Sequence, residues 1–229
     1  AEREGLFLKE NRMSLRKTTV FLLLGIALGT GSLGAWEIEQ FDAHLRVQPD
    51  GALAVQENIQ VDFQGEARRG IYRDVPLKTQ DRFGIQRSIR LIYLGAFDEV
   101  GRPWKARLTR EGVYRRIRLG DPEVTFTGRK TFVLNYRVER ILRSFPEHDE
   151  LYWNVTGKGL AVPMAQAIAR VELPQVPPLD KWFWVAYTGP YGSRESDAEI
   201  RLETPNILRF QVLHPLRPFE GLTIAVGWP

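Results

Sequence analysis

Apolar and polar residues alternate with a period of two from residue 41 onward, and this pattern constrains the fold of the chain more than any other feature. It is clearest over residues 41–47 and 53–63, which are separated by Pro49-Asp50-Gly51. Successive side chains of a β-strand point to opposite faces of a sheet, so the period predicts strands with one buried face. The Pro-Asp-Gly turn predicts that the first two strands form a β-hairpin.

The same period recurs along the rest of the chain. It predicts further strands over residues 85–94, 113–119, 123–127, 131–138, 151–155, 165–173, 182–187, 198–202, 207–213 and 222–226. No window after Ala35 shows a helical stripe with caps. We therefore expect an all-β domain over residues 36–229, a β-sandwich of the immunoglobulin-like or a related type. Three prolines within residues 174–178 predict an internal joint, because proline cannot occupy a central strand.

The first 35 residues have a different character. Leu, Val, Ile and Phe dominate residues 18–28, which follow Arg16 and Lys17 and precede small residues up to Ala35. This layout is typical of a secretory signal peptide, here residues 13–35, with residues 1–12 as an upstream segment before the native start. An uncleaved signal-anchor helix is the alternative, because the uncharged stretch Thr18 to Ala35 approaches the roughly 20 residues that span a bilayer. Both interpretations place the chain from Trp36 onward outside the cytoplasmic membrane.

Composition and charge exclude several classes of function. The chain has no cysteine, so it has no disulfide framework, no thiolate zinc site and no cysteine nucleophile. The formal net charge is +4, and half of this excess comes from residues 1–35, which hold five Lys or Arg and three Glu. The rest of the chain carries nearly equal numbers of positive and negative charges, unlike a nucleic-acid-binding surface, and we expect no nucleic-acid partner.

No cofactor or metal is expected either. The Gly29 to Gly34 spacing matches a dinucleotide-binding fingerprint, but that fingerprint must follow a strand and open a helix. His44, His148 and His214 lie far apart, without the spacing of a zinc site. The acidic cluster over residues 147–150 is more typical of a solvated loop than of a metal site.

Several motifs resemble a known family. They are Arg69-Gly70-Ile71-Tyr72-Arg73-Asp74-Val75-Pro76, the stretch 151–157, Tyr187-Thr188-Gly189 and the closing stretch 221–227. On these residues the chain resembles the extracytoplasmic N-terminal domain of YciQ-like predicted membrane proteins, domain-of-unknown-function family 2207. The resemblance covers Trp36 to Pro229. It implies a signal peptide, an external β-rich domain and then transmembrane helices, which here would lie beyond Pro229, and it brings no assigned activity and no catalytic residues.

The most specific motif is also the first candidate site. We expect residues 70–76 to form a compact loop, bent at Gly70 and ended by Pro76. Arg69, Tyr72, Arg73 and Asp74 would then present a surface for an anion or a peptide. The alternative is architectural: an Arg–carboxylate contact and a packed tyrosine that fasten the loop to the sandwich.

Aromatic residues supply the other candidate surfaces. Trp153 and Asn154 combine an aromatic ring with an amide, which suits a sugar or a peptide and equally suits a core. Trp182 and Trp184 flank Phe183 on one strand, so at least one face of that strand should meet solvent, a partner or a membrane surface.

Three functional hypotheses follow. The first is a non-enzymatic extracytoplasmic binding domain of a bacterial membrane protein, held at the membrane by its N-terminal segment or by helices beyond Pro229. The second is a secreted or periplasmic module that binds carbohydrate or cell-wall polymer. The third, for which the sequence shows no constellation, is a carboxylate-based hydrolase. A protein, peptide or glycan ligand is compatible with the first two hypotheses.

Overall fold

The computed structural model describes residues 36–80, 86–157 and 159–229. Within these ranges the chain is all-β, as the alternation predicts, and the helical content is one 3₁₀ turn, Leu179–Lys181. The upstream segment 1–12 and the signal or anchor segment 13–35 lie outside the described residues. No helix among the described residues is long and apolar enough to cross a membrane.

Sixteen strands make up the described chain. In chain order they are β1 Glu37–Val47, β2 Leu53–Asp62, β3 Ile71–Pro76, β4 Lys78–Gln80, β5 Gln86–Ser88, β6 Arg90–Phe97, β7 Ala106–Glu111, β8 Tyr114–Leu119, β9 Arg129–Glu139, β10 Arg143–Ser144, β11 Asp149–Asn154, β12 Ala167–Glu172, β13 Phe183–Pro190, β14 Ala198–Thr204, β15 Ile207–Val212 and β16 Glu220–Trp228.

The largest sheet has seven strands in the order β14-β15-β12-β1-β2-β9-β6. The predicted hairpin is confirmed: β1 and β2 pair antiparallel, with Val47 opposite Leu53 across the Pro-Asp-Gly turn. In that turn the Asp50 carboxylate accepts a hydrogen bond from the Ala52 N–H at 3.2 Å. The pair β1 and β12 is parallel, with Phe41 opposite Ala167, and it brings together segments more than a hundred residues apart.

A second sheet has four strands in the order β10-β11-β16-β13, so β16 is paired on both sides. One face of β16 carries Leu222, Ile224 and Val226, all fully buried. These side chains join the same hydrophobic core as the inward residues of the seven-stranded sheet. The opposite face of β16 carries only the small residues Gly221, Thr223, Ala225 and Gly227, so it is flat.

The third sheet, β3-β8-β7, corrects the prediction for residues 70–76. This stretch is not a compact loop: Ile71–Pro76 is strand β3, paired antiparallel with β8 from Ile71 opposite Leu119 to Pro76 opposite Tyr114. Its inward residues Ile71 and Val75 are buried, which a period-two count would have indicated. The glycine and proline at its two ends mark the limits of a short strand rather than a turn.

The strand predicted over residues 123–127 is also wrong. Only Phe126 pairs there, in an isolated bridge to Arg68, while the Phe126 ring packs 5.5 Å from Trp104 and 5.8 Å from Phe63. The place beside β8 is taken by β7, which the apolar pattern does not predict because Ala106–Glu111 has only two apolar residues and its charged residues fall on both faces of the strand. Every other predicted strand overlaps an observed one.

Residues 174–178, the predicted joint, connect β12 of the seven-stranded sheet to the 3₁₀ turn before β13 of the four-stranded sheet. The described chain on both sides of this connection belongs to one compact unit. A joint within that unit stays a prediction.

Candidate functional site: a buried anchor beside an aromatic groove

Arg73 lies inside the protein, with only 3% of its surface exposed. Strand β3 alternates, and its buried set is Ile71, Arg73 and Val75. The guanidinium meets the carboxylate of Glu57, which is fully buried on the inward face of β2. Two parallel contacts join them, from Nε to Oε2 at 2.7 Å and from Nη2 to Oε1 at 2.8 Å. This bidentate geometry is the strongest form of an arginine–carboxylate pair.

All five N–H donors of Arg73 are used within the protein. Besides the two bonds to Glu57, the guanidinium donates to the carbonyl oxygens of Val155 at 2.7 Å, Thr156 at 3.2 Å and Asp74 at 3.3 Å. A guanidinium has five donors, so none is left for a ligand. Arg73 therefore fastens β2, β3 and the end of β11 to one another.

Gly157 completes the enclosure of Arg73. Its φ is +87°, and a Cβ atom at this position would overlap Nη1 of Arg73. The chain can thus approach the guanidinium this closely only with glycine here.

Arg73 and Glu57 form a buried cluster with Tyr136 on β9, and we call these three residues the anchor. The Tyr136 hydroxyl donates a 2.5 Å hydrogen bond to Oε1 of Glu57, and the residue is fully buried. Burial and then the charge of Glu57 raise the pKa of Tyr136 well above its ordinary value, although Arg73 opposes this. For Arg73, burial alone would lower the pKa, but the charge of Glu57 outweighs it and the pKa of the guanidinium is raised.

The buried hydroxyl predicts a pH dependence of stability. Tyr136→Phe should lower the free energy of unfolding at neutral pH by about 1.5–3 kcal/mol, the range for hydrogen bonds to charged groups. Because the folded pKa is raised, the contribution of Tyr136 is complete below about pH 10, the unfolded pKa, and is lost as pH rises further. The difference between wild type and variant should therefore shrink at alkaline pH.

Urea unfolding measured from neutral to alkaline pH checks this prediction. The exposed Tyr72 provides the matched control, and Tyr72→Phe should leave the free energy of unfolding at neutral pH unchanged. A constant difference between wild type and Tyr136→Phe over the whole pH range would contradict the assignment.

The other residues predicted with Arg73 lie outside the core. Tyr72 is 55% exposed, and Asp74 forms a bidentate pair with Arg116, at 2.8 Å and 2.7 Å. The Arg116 guanidinium also lies over the Tyr72 ring, 5.2 Å from its centroid. Hydrogen bonding to Asp74 raises the pKa of Arg116. Arg69 is exposed at the start of the strand. The structure therefore separates the predicted set into one anchor and a surface group.

The predicted aromatic residues are divided in the same way. Trp153 is buried in the core, and Trp182 is nearly so, at 7% exposure. Asn154 accepts a hydrogen bond from the Gly157 N–H at 2.9 Å, which fixes the chain after β11. Trp184 is 37% exposed and packs edge-on against Trp182, with 6.1 Å between the ring centroids.

An open groove of about 990 Å³ runs beside this anchor. One wall comes from the ends of β3, β4 and β8, and the other from β11, β13 and the turn after β13, with the start of β16 as part of the floor. Tyrosines line it on both sides: Tyr114, Tyr152, Tyr187 and Tyr191. Asp74 and Asn154 are the two predicted site residues whose polar side chains border the groove.

The tyrosines of the second wall lie close together. Tyr152 on β11 and Tyr187 on β13 stand on the outer face of the sheet, separated by Ala225 and Thr223 of β16. Burial, and then the nearness of the Tyr187 hydroxyl, raise the pKa of Tyr152. Arg143 covers part of Tyr152, with its guanidinium 4.9 Å from the ring centroid, and pairs with Glu150 at 3.1 Å.

Large exposed apolar side chains gather at the same groove. Tyr191 is 83% exposed, Phe219 61%, Val113 45% and Tyr152 39%. Phe219 also has a φ of +68°, an uncommon conformation for a non-glycine residue. Concentration of exposed apolar area and backbone strain at one place is typical of a binding site. Four further lining residues are not among the predicted site residues: Tyr114, Tyr187, Tyr191 and Phe219. Tyr187 belongs to one of the family-like motifs, and the other three have no signal beyond their aromatic type.

The comparisons with known proteins bear on this architecture. Residues 37–228 match the family model described as the N-terminal domain of a predicted membrane protein, DUF2207. The chain belongs to the DUF2207 family. The resemblance recognised in the sequence is thereby confirmed, and the family description associates this DUF2207 domain with a membrane protein. A search of curated proteins gave no match.

Solved structures share the fold of the DUF2207 domain. Yeast LTA4 hydrolase in complex with bestatin aligns with a TM-score of 0.53 at 12% identity, over 83% of this chain and 28% of the hydrolase. Native yeast LTA4 hydrolase aligns with a TM-score of 0.51 at 13% identity, over 84% of this chain and 29% of the hydrolase. The domain thus spans less than a third of either protein, and at this identity the likeness concerns the fold alone.

The described part of the DUF2207 domain contains no group of three or more His, Asp or Glu side chains placed to hold a metal ion. Within the predicted acidic cluster, Glu150 is engaged by Arg143. Asp149 lies at the start of β11, paired with Ser144 on one side and Trp228 on the other.

Proposed function

We propose that this DUF2207 domain is a non-enzymatic, extracytoplasmic binding domain of a membrane protein, and that the tyrosine-lined groove is its binding site. The observation that carries the proposal is the groove itself, with four tyrosines around about 990 Å³ of open space. This volume lies at the upper end of the range for ligand sites, and such sites combine aromatic walls with a few polar groups.

The charges of the groove favour binding over catalysis. Among the groove-lining residues that the structure describes, Asp74 is the acidic one, and both of its carboxylate oxygens are engaged by Arg116. General acid–base chemistry needs a carboxylate free to exchange a proton with the substrate, commonly as one of a pair. Asp74, held as an ion pair, is suited to shaping the wall.

The proposed location rests on the N-terminal sequence pattern together with the family description. Basic residues followed by an apolar run favour a location of the following domain outside the cytoplasmic membrane. On this proposal the membrane is the first partner, through residues 18–35 or through helices beyond Pro229, and a secreted or periplasmic form is the alternative. We also class the fold as a β-sandwich, because the seven-stranded and four-stranded sheets contribute to one core.

Retention of the 229-residue chain on isolated cell envelopes tests the groove. The variant Tyr152→Ala/Tyr187→Ala should bind about tenfold more weakly than wild type, since it removes both stacking faces that flank β16, and tenfold corresponds to about 1.4 kcal/mol. Tyr72→Ala, an exposed tyrosine of the neighbouring sheet, is the matched control and should bind as wild type does.

Two results would contradict the proposal. One is equal retention of wild type and the double variant, with folding verified by circular dichroism. The other is an equal loss for Tyr72→Ala, which would assign binding to general aromatic exposure rather than to the groove.

A further inference from the structure

The floor of the groove limits what kind of polymer it can hold. Strand β16 is hydrogen-bonded to β11 from Asn154 opposite Thr223 onward and to β13 over the whole length of that strand. Its backbone groups are therefore used inside the sheet. An extended peptide that adds as a strand needs an unpaired sheet edge. The floor strand β16 offers none, whereas the edge strands β3 and β13 also line the groove.

The walls offer a different kind of recognition. Tyr152 and Tyr187 stand on either side of a strip whose outer side chains are small, and both tyrosines line the groove. Their hydroxyls, the Asn154 amide and the Thr223 hydroxyl add polar groups to the lining. Alternating apolar faces and hydrogen-bonding edges match pyranose rings, which have apolar C–H faces and hydroxyl rims.

The charged residues of the same lining indicate the sign of charge that a ligand should carry. Lys78 and Arg194 contribute positive charge, whereas Asp74 is paired with Arg116 and Arg143 with Glu150. Lys78 and Arg194 are both exposed and belong to opposite walls. A ligand between them would experience a positive potential from both walls, which favours a ligand that carries anionic groups.

We infer that the ligand class of the groove is an acidic polysaccharide, a chain of sugar rings that carry carboxylate groups. This inference rests on the proposed function, since it names what the proposed binding site recognises. Sugar rings would stack on Tyr152 and Tyr187, and their carboxylates would meet Lys78 and Arg194. Binding would combine stacking with charge attraction. It should therefore depend on the tyrosines at any salt concentration and on the cations mainly at low salt.

Affinity electrophoresis of the 229-residue chain tests the inference, with polygalacturonate in one gel and neutral dextran in another. We expect polygalacturonate to bind at least about tenfold more tightly than dextran. Arg194→Gln should weaken polygalacturonate binding by about three- to tenfold, and the matched control Arg201→Gln, an exposed arginine on β14, should leave it unchanged. Raising the salt concentration to about 0.5 M should weaken binding of wild type more than binding of Arg194→Gln.

The outcomes separate this inference from the proposed function. Equal binding of dextran and polygalacturonate, or equal effects of Arg194→Gln and Arg201→Gln, would overturn the acidic-polysaccharide inference. Envelope retention that depends on the tyrosines but is abolished by protease treatment of the envelopes, with neither polymer bound, would identify a peptide ligand and leave the groove as the site. Envelope retention that is independent of the tyrosines would instead overturn the proposed function.

Discussion

Arg73→Ala is expected to lower the free energy of unfolding by about 3–5 kcal/mol, because it leaves the carboxylate of Glu57 charged, buried and unpaired. The same substitution removes the donors that satisfy the carbonyl groups of Val155 and Thr156. Arg73→Lys should recover only part of the loss, since an ammonium group cannot reproduce the bidentate contact. Urea denaturation at neutral pH measures both variants.

The matched control is the neighbouring ion pair, which joins β3 to β8. Arg116 forms the same bidentate contact with Asp74, but its side chain is 39% exposed and that of its partner 27%. Exposed ion pairs contribute about 0–1 kcal/mol, so Arg116→Ala should be nearly neutral. A loss for Arg73→Ala no larger than that for Arg116→Ala would contradict the anchor.

Replacement of both charged partners provides a second measurement on the anchor. Glu57→Met/Arg73→Met fills the same space without a charge, and it should be less destabilising than the two single substitutions added together. Additive losses would mean that the pair is not coupled.

Gly70→Ala is expected to lower the free energy of unfolding by more than about 3 kcal/mol, or to prevent folding, because losses of this size arise from severe local conflicts. Gly70 has a φ of +133°, and a Cβ atom here would overlap the backbone oxygen of Leu119. The conflict is backbone against backbone at the start of the β3–β8 pairing, so no side-chain rotation can relieve it. Differential scanning calorimetry, or the soluble fraction if the variant does not fold, gives the result.

Gly112→Ala isolates the conformational part of this effect. Gly112 also has a positive φ, +60°, but no atom lies within 4 Å of a Cβ at that position. The substitution should therefore cost only the left-handed backbone penalty of about 1–2 kcal/mol. Equal losses for Gly70→Ala and Gly112→Ala would show that conformation, rather than close approach, determines the role of Gly70.

Glu57 and Arg73 can each be singled out in the sequence, but the contact between them cannot be predicted from it. Glu57 occupies a position of β2 at which the alternation calls for an apolar residue, between Val55 and Ile59, and such an interruption signals a buried charge. The motif that contains Arg73 predicts a loop, because its glycine and proline are residues typical of turns. That these two residues meet depends on the folding of β3 against the core.

The groove was less accessible to prediction. Tyrosine in an alternating strand is equally suited to a core and to a binding surface, as Tyr136 and Tyr187 show. Tyr136 is fully buried at the anchor, whereas Tyr187 lines the groove. Nothing local distinguishes them, because the outcome depends on which face of the strand a neighbouring sheet covers.

The sequence by itself determined most of the strands, the β1–β2 hairpin and the inward faces of those strands, because these depend on a period of two and on turn residues that act over a few positions. Only the tertiary structure decided which strands are neighbours. The parallel pairing of β1 with β12 and the enclosure of Arg73 by Glu57 and Tyr136 join distant segments. The period is the same in every strand, so it does not indicate which strand pairs with which. Pairing is selected by the combined burial of the whole chain, and that pairing brings the groove-lining residues of distant strands together.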